Sequence, residues 1–152
     1  GAMGMPQFMP SSRVKYAVDF DGDGSIDLSG NPADVIGSVA SYFKAFNWQP
    51  GMPTHYPVTF DLTRLDKDAL LAPDILPTFS VASFQDKGAV LEGAALQHSG
   101  PLALVEVQNG DAVLSYIAGT ENFYVITRYN WSSYYARAVI DLAREVSAAL
   151  GP

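Results

Sequence analysis

The feature that most constrains this chain is a stretch of carboxylates with no cation of its own to balance them. Between Lys15 and Lys44 the sequence carries five Asp residues and no Lys or Arg. Like charges about 4 Å apart repel by about 1 kcal/mol per pair in water, and by more when they are partly buried. A compact fold of this stretch therefore requires a bound counter-ion. The alternative is a solvated, Asp- and Gly-rich turn without metal.

The spacing of these carboxylates is typical of an EF-hand loop, because Asp19 to Asp27 matches its first nine positions. Gly24 stands where that loop turns sharply, and the alternating Asp residues before it offer the oxygen ligands that Ca²⁺ prefers. Gly30 occupies the twelfth position, where a bidentate Glu is usual, so the next carboxylate, Asp34, is the best closing ligand. The sequence predicts an elongated loop holding a structural Ca²⁺, since a saturated oxygen shell leaves no position open for Lewis-acid chemistry. The predicted metal ligands are Asp19, Asp21, Asp23, Ser25 (through its carbonyl) and Asp34.

Composition narrows the function classes. With 152 residues, of which 48% are apolar, the chain is expected to fold as one domain or as two small lobes. A net charge of −7 disfavours nucleic acid and anionic membrane surfaces as partners. The absence of Cys excludes disulfides, thiolate zinc sites and thiol catalysis. No apolar run approaches the roughly 18 residues of a membrane span.

Helical patterns occupy the two ends of the chain. Asn31-Pro32 is a strong helix start, and the apolar spacing after it predicts a helix over 32–47. Near the end, Phe123 to Tyr129 predicts one helical segment, and a stripe from Tyr135 to Leu150 predicts another before Gly151-Pro152.

The middle of the chain has a β-type pattern, with short apolar runs between turn residues. A short helix is expected between Thr63 and Leu71, capped by Thr63 or Asp61, and Asn109-Gly110 predicts a hairpin turn. The predicted strands are Val58 to Phe60, Phe79 to Phe84, Val90 to Ala95, Leu102 to Val107 and Ala112 to Ile117.

This order predicts an α+β fold in which a small antiparallel β lobe interrupts a helical core. We assign residues 1–54 to the helical core with the Ca²⁺ loop at 19–34, residues 55–118 to the β lobe, and residues 119–152 to C-terminal helices that return to the core.

Four blocks of sequence carry a resemblance to a known family. They are GAMGMPQFMPSS at 1–12, YAVD at 16–19, IGSVASYFK at 36–44 and NFYVITRYN at 122–130. In this order they resemble the MltB family of lytic murein transglycosylases. The resemblance covers both helical ends and misses most of 50–118. It implies a lysozyme-like helical core, only part of which lies in this chain, and a calcium ion in an elongated EF-hand loop, which agrees with the choice of Asp34.

The resemblance also implies a reaction. Members of the family are carbon-oxygen lyases that cleave the β-1,4 bond between N-acetylmuramic acid and N-acetylglucosamine without water and form a 1,6-anhydro sugar. One Glu acts as general acid, and in the family it lies upstream of the GAMG block. We therefore expect this chain to be the C-terminal part of such an enzyme, inactive without the N-terminal part. The Glu residues present are Glu92, Glu106, Glu121 and Glu145, and none falls in a block resembling the catalytic one.

The resemblance places six residues near the glycan strand. Amide and Tyr side chains suit this role, because they hydrogen-bond sugar hydroxyl and N-acetyl groups while the ring presents an apolar face. The alternative is that the aromatic residues belong to the core. The six residues are Gln7, Phe8, Tyr42, Tyr129, Asn130 and Tyr135.

Three interpretations follow for the function. The first is a transglycosylase in the periplasm or cell envelope, with a lipid anchor to the outer membrane as an option outside this chain. Its partners are peptidoglycan strands and the N-terminal part of the same protein. The second is a calcium-stabilised module that binds peptidoglycan without cleaving it, and the third is a calcium-dependent interaction domain without sugar specificity.

Overall fold

The computed structural model describes residues 1–107 and 114–151. The chain divides into two compact units, Gly1–Trp48 and Gln49–Pro152. The helices are α1 (Pro10–Tyr16), α2 (Pro32–Ala45), α3 (Lys67–Leu71), α4 (Val81–Asp86), α5 (Glu121–Tyr129) and α6 (Ser133–Leu150), with a 3₁₀ helix at Gly93–Gln97. The strands are β1 (His55–Pro57), β2 (Thr59–Phe60), β3 (Ala89–Val90), β4 (Ala103–Val107) and β5 (Ser115–Gly119).

The first unit packs α1 against α2 through aromatic rings. Tyr42 is buried, with its ring centroid 5.0 Å from that of Tyr16 and 4.6 Å from that of Phe46. Phe8 is buried, and its ring centroid lies 6.0 Å from that of Tyr42. These rings form an apolar cluster that joins the two helices.

The second unit is built on a three-stranded antiparallel sheet of order β1-β5-β4, beside a two-stranded sheet of β2 and β3. In the larger sheet Val105 lies opposite Ile117, and His55 lies opposite Gly119. Helix α5 packs against β5, and α6 packs against β4. The core on one side of the sheet consists of fully buried side chains that include Leu70, Phe84, Leu102, Leu104 and Ala118.

Most of the predicted helices are confirmed. The helix expected over 32–47 is Pro32–Ala45, and the two C-terminal helices are Glu121–Tyr129 and Ser133–Leu150. Helix α1 was not predicted, although Pro10 at its first position is a typical helix start. The α+β class is confirmed, whereas the packing of the last helices beside the first helix stays a prediction.

The strand predicted over Leu102 to Val107 is confirmed as β4. Two other predicted strands are wrong, one because a helix cap lies within it and one because a glycine does. Phe79 to Phe84 was expected to be a strand, but Ser80 accepts a hydrogen bond from the Ser83 N–H at 3.2 Å and starts helix α4. Val90 to Ala95 was also expected to be a strand, but pairing ends at Val90 and a 3₁₀ helix follows at Gly93, whose φ is +55°.

Three smaller differences concern starts and turns. The helix expected from Thr63 begins at Lys67, because Asp66 caps it and accepts the Ala69 N–H at 3.1 Å. The strand expected over Val58 to Phe60 is the shorter Thr59–Phe60. The described part of the strand expected from Ala112 to Ile117 is Ser115–Gly119, and residues 112–113 and the predicted Asn109-Gly110 turn lie outside the described residues.

None of the helices in the described part of the chain has the length and apolar character needed to cross a membrane.

Candidate functional site

The acidic loop is organised around the carboxylate of Asp19. Its Oδ1 accepts the N–H of Gly22 at 2.7 Å and that of Asp23 at 3.1 Å, and its Oδ2 accepts the N–H of Gly24 at 2.8 Å. Gly22 and Gly24 have φ of +77° and +90°, a backbone conformation that favours glycine. The Asp-x-Asp-Gly-Asp-Gly pattern thus folds the chain tightly around one carboxylate.

Asp34 joins the loop to helix α2. Its side chain is fully buried in the first turn of the helix, where a negative charge is favoured. Its Oδ1 accepts the N–H of Phe20 and its Oδ2 accepts the N–H of Asp27, both at 2.8 Å. Each oxygen keeps a lone pair after these bonds. The carboxylate therefore holds both ends of the loop and can still bind a cation.

Three carboxylates meet at this point. One oxygen from each of Asp19, Asp21 and Asp34 lies within 4.8 Å of the other two. In the described part of the chain, no salt bridge involves any of them. Asn31 donates from Nδ2 to Oδ2 of Asp21 at 2.7 Å, and this bond is the main reason that the pKa of Asp21 lies below its ordinary value. The arrangement is an all-oxygen, negatively charged donor set, which suits a hard divalent cation.

The other two predicted ligands lie outside this group of three. Oδ1 of Asp23 accepts the N–H of Ser25 at 2.8 Å, and both residues are exposed. Their role as metal ligands stays a prediction. Asp27 shapes the end of the loop, because its Oδ1 accepts the N–H groups of Ser29 and Gly30 at 2.9 Å each. These two bonds lower the pKa of Asp27.

Two contacts that the sequence did not reveal fix the loop to helix α2. Ser38 is fully buried, and its Oγ accepts the N–H of Val18 at 2.9 Å. The ring of Phe20 lies directly over Gly37, so that a Cβ at that position would stand 2.5 Å from the ring. The spacing of small residues along α2 was the available signal for this close approach.

Three of the predicted saccharide residues lie in the first unit. Gln7 is exposed, has φ of +53°, and donates from Nε2 to the Gly4 carbonyl at 2.8 Å. Phe8 and Tyr42 are only 2% and 8% exposed and belong to the aromatic cluster described above. Their contribution to packing is evident, and their role toward a saccharide stays a prediction.

The other three lie where α5 ends and α6 begins, in the second unit. Asn130 is exposed at the C-terminus of α5, and its carbonyl accepts the N–H of Ser132 at 2.7 Å. Ser132 in turn accepts the Tyr135 N–H at 3.2 Å and caps α6. Tyr129 and Tyr135 are half-buried on either side of this turn. The structure thus brings this group together, and its contact with a glycan stays a prediction.

A buried amide that the sequence analysis did not single out holds the start of the second unit. Asn122 is fully buried, accepts the Gln49 N–H at 2.8 Å, and donates to the carbonyls of Gln49 and Met52 at 2.8 and 2.9 Å. Thr120 adds a bond to the Pro53 carbonyl at 2.7 Å. The residues that form these bonds are about 70 positions apart, which is why no local pattern signals them.

His55 lies in the same region and was assigned no role. Burial, together with the charges of Arg137 and Arg144, lowers its pKa to about 4. Its Nδ1 lies 3.0 Å from Thr54 Oγ1, and its Nε2 lies 3.5 Å from Arg137. The ring is therefore neutral at physiological pH.

Comparison with known proteins adds an independent line of evidence. Residues 1–144 match the family described as transglycosylase SLT domain. The chain is 38% identical, over 98% of its length, to membrane-bound lytic murein transglycosylase B of Escherichia coli strain K12. It is 42% identical, over 99% of its length, to the catenated lytic transglycosylase SltB1 of Pseudomonas aeruginosa, with a TM-score of 0.83.

Two further solved structures are notable for what they contain. The Escherichia coli lytic transglycosylase Slt35 in complex with calcium is 38% identical over 98% of this chain, with a TM-score of 0.76. Pseudomonas aeruginosa SltB3 in complex with NAG-NAM-pentapeptide is 33% identical over 91% of this chain, with a TM-score of 0.73.

The match covers only part of these relatives. The chain spans 39% of the curated Escherichia coli protein, 48% of SltB1, 45% of Slt35 and 37% of SltB3. The agreement of backbones confirms the expected lysozyme-like, mixed helix and sheet fold.

Proposed function

Because the chain belongs to the transglycosylase SLT domain family, we propose that it is part of a lytic murein transglycosylase that acts on peptidoglycan. The observation that carries the proposal is the agreement of almost the whole chain, 99% of it, with SltB1 at a TM-score of 0.83. A chain that keeps both the sequence blocks and the backbone of such enzymes is well suited to the same substrate class. The complexes of SltB3 with peptidoglycan fragments support a glycan strand as the substrate.

The proposed reaction is non-hydrolytic cleavage of the bond between N-acetylmuramic acid and N-acetylglucosamine. A general acid protonates the glycosidic oxygen, and the 6-hydroxyl of the muramoyl residue closes on C1 to give the 1,6-anhydro product. One carboxyl group suffices, because no water has to be activated.

We place the general acid outside these 152 residues, and the environments of the four Glu side chains support this. Glu92 and Glu145 are exposed. Glu106 accepts the hydroxyl hydrogen bond of Tyr116 at 3.0 Å, and Glu121 lies in the first turn of α5. None of the four lies in one of the four short sequence blocks at 1–12, 16–19, 36–44 and 122–130.

The acidic loop is proposed to hold a structural Ca²⁺. Asp19, Asp21 and Asp34 already converge, and the exposed Asp23 and the Ser25 carbonyl are within the same short loop. An ion bound there would supply the positive charge that the stretch lacks, and the calcium complex of Slt35 supports this choice of metal. The ion would hold Asp34, and through it the start of helix α2.

The same proposal assigns the sugar contacts to Gln7, Phe8 and Tyr42 in the first unit and to Tyr129, Asn130 and Tyr135 in the second. The exposed amides of Gln7 and Asn130 are free of the apolar core and suit hydrogen bonds to hydroxyl and N-acetyl groups. For a protein that acts on the murein layer, we propose the periplasm or cell envelope as its location.

A second candidate is a calcium-stabilised module that binds peptidoglycan without cleaving it. The positions of the four Glu side chains favour this alternative for the chain taken on its own. Turnover distinguishes the two candidates.

The test compares two proteins on purified peptidoglycan, with mass spectrometry of the released muropeptides. One is this chain alone, and the other is a fusion in which the N-terminal part of SltB1 precedes Gly1. We expect 1,6-anhydro muropeptides from the fusion only. Release by the chain alone would overturn the placement of the general acid, and a folded fusion without turnover would overturn the transglycosylase proposal in favour of the binding module.

A further inference from the structure

A pocket lies beside the edge of strand β4 in the second unit, next to the turn between α5 and α6 that carries Asn130 and Tyr135. It has a volume of about 290 Å³, and the residues around it include Asp74, Leu104, Glu106 and Tyr134. A second pocket of about 230 Å³ shares Asp74 and Tyr134 with it and extends to Trp131. Because the two pockets share lining residues, we describe them together as the β4 recess, which lies between the segment after α3 and the start of α6.

The charged residues that line the β4 recess are all acidic. Asp74 and Glu106 are acidic, and no Lys or Arg is among the lining residues of either pocket. The N-terminus of α6 contributes roughly half a positive charge at Ser133, which offsets only part of the two carboxylates. The recess therefore favours a cationic occupant.

Two cations of the chain lie close to the recess, and each already contacts an aromatic ring. The Nζ of Lys67 lies 4.2 Å from the centre of the Tyr116 ring, and Tyr116 donates its hydroxyl hydrogen to Oε2 of Glu106. The guanidinium of Arg128 lies 5.8 Å from the Trp131 ring at the far pocket. An added cation is therefore best placed in the larger pocket, near Asp74.

Aromatic surfaces complete the recess. Tyr134 and Trp131 are 50% and 59% exposed, so both rings are open to solvent. A ring face attracts an ammonium group, and the adjacent apolar surface of the half-buried Leu71 suits an alkyl chain. Carboxylate, ring face and aliphatic wall together are the chemistry that recognises an amine on a short alkyl chain.

We propose that the β4 recess binds a primary alkylammonium group, with Asp74 as its main charge partner and Tyr134 as its ring surface. Because the recess adjoins Asn130 and Tyr135, we take the first source of such a group to be an amino-acid side chain of a peptidoglycan stem peptide, and a Lys side chain of a partner protein is the alternative outcome of the test. The first source rests on the proposed function, whereas the ammonium site itself does not.

The direct test uses NMR titration of the chain with Nα-acetyl-lysine methylamide, and with the norleucine analogue, which lacks the amine. We expect shifts of the Ser133 and Tyr134 amide signals with the lysine probe and about tenfold weaker binding of the norleucine probe. Equal binding of the two probes, or no change at Ser133 and Tyr134, would overturn the proposal.

Two matched variants refine the test. Asp74 has φ of +57°, which Asn tolerates well, so Asp74→Asn removes the charge with little strain. The control Asp86→Asn removes the same charge from an exposed position that does not line the recess. Asp74→Asn should weaken binding of the lysine probe by about fivefold and Asp86→Asn by less than about twofold. Equal effects of the two variants would contradict a role for Asp74.

The source of the amine is distinguished with muropeptides that carry a free side-chain amine, before and after acetylation of that amine. Loss of the Tyr134 shift on acetylation supports the stem peptide. If acetylation of the muropeptide does not change the Tyr134 shift although the lysine probe binds, the stem peptide is overturned as the source. A Lys side chain of a partner protein is then the source of the amine. Because no cleavage is measured, failure of this test and failure of the proposed function are separate results.

Discussion

The two units of this chain are stabilised in different ways. Gly1–Trp48 depends on an acidic loop whose buried carboxylate, Asp34, accepts two backbone hydrogen bonds, and on a cluster of aromatic rings. The unit that starts at Gln49 has a sheet with a core of fully buried aliphatic and aromatic side chains. The comparison teaches that the first unit should respond to ions, while the second should respond mainly to changes in its core.

The largest effect is expected in the second unit. Phe84 is fully buried in its core, so Phe84→Ala should lower the free energy of unfolding by about 3 to 5 kcal/mol. Urea denaturation followed through Trp131, in a background in which Trp48 is replaced by Phe, measures it. A matched change at the exposed Leu62, Leu62→Ala, should cost less than about 1 kcal/mol. The cost of Phe84→Ala should be the same in calcium as in excess EDTA. A cost that depends on calcium would contradict the contrast between the two units.

A smaller effect is expected in the first unit when its buried carboxylate is removed. Asp34→Ala leaves the N–H groups of Phe20 and Asp27 without their acceptors and should cost about 2 to 4 kcal/mol, even without metal. The measurement is urea denaturation in excess EDTA, followed by the fluorescence of Trp48. The ring of Trp48 stacks on that of Phe43, with 5.7 Å between the ring centroids.

Asp23→Ala is the matched control for this variant, because Asp23 is exposed and its carboxylate accepts the N–H of its near neighbour Ser25. It should cost less than about 1 kcal/mol under the same conditions. Equal losses for the two variants would show that burial of Asp34 does not organise the loop.

The smallest effect concerns pH and belongs to the second unit. His55 has a pKa of about 4 in the folded chain and of about 6.5 when unfolded. The unfolded chain therefore binds the proton more readily between these values, so stability is present above pH 6.5 and is lost as the pH falls toward 4. Solvent screens this half-buried ring, so the loss should be no more than about 1 kcal/mol.

His55→Gln isolates this contribution, because it replaces the titrating imidazole with a neutral amide. Melting temperatures measured from pH 7 to pH 4 should fall less steeply for the variant than for the parent chain. Parallel curves would mean that the ring is not held neutral by its surroundings.

Local signals in the sequence predicted the long helices and the convergent carboxylates. Asn31-Pro32 fixed the start of α2, and the Asp spacing identified Asp19, Asp21 and Asp34, which the structure brings together. These features depend on residues close in sequence, or on a charge imbalance that any compact fold of the loop must resolve.

Short elements and long-range contacts could not be predicted in the same way. The apolar run at Phe79 to Phe84 fits a strand or a helix, and the cap at Ser80 decides in favour of the helix. The hydrogen bonds of Ser38 to Val18 and of Asn122 to Gln49 join distant residues, so they become visible only once the chain has folded. The β4 recess likewise combines residues from three separate segments.

The central claim is that a divalent ion bound at Asp19, Asp21 and Asp34 stabilises the first unit, and thermal unfolding with single-Trp reporters tests it most directly. With Trp131 replaced by Phe, the Trp48 transition should be higher in calcium than in excess EDTA, by an amount equivalent to about 3 kcal/mol at a hundredfold excess of calcium over its dissociation constant. With Trp48 replaced by Phe, the Trp131 transition should move much less. A Trp48 transition that is the same in calcium and in EDTA would contradict the account.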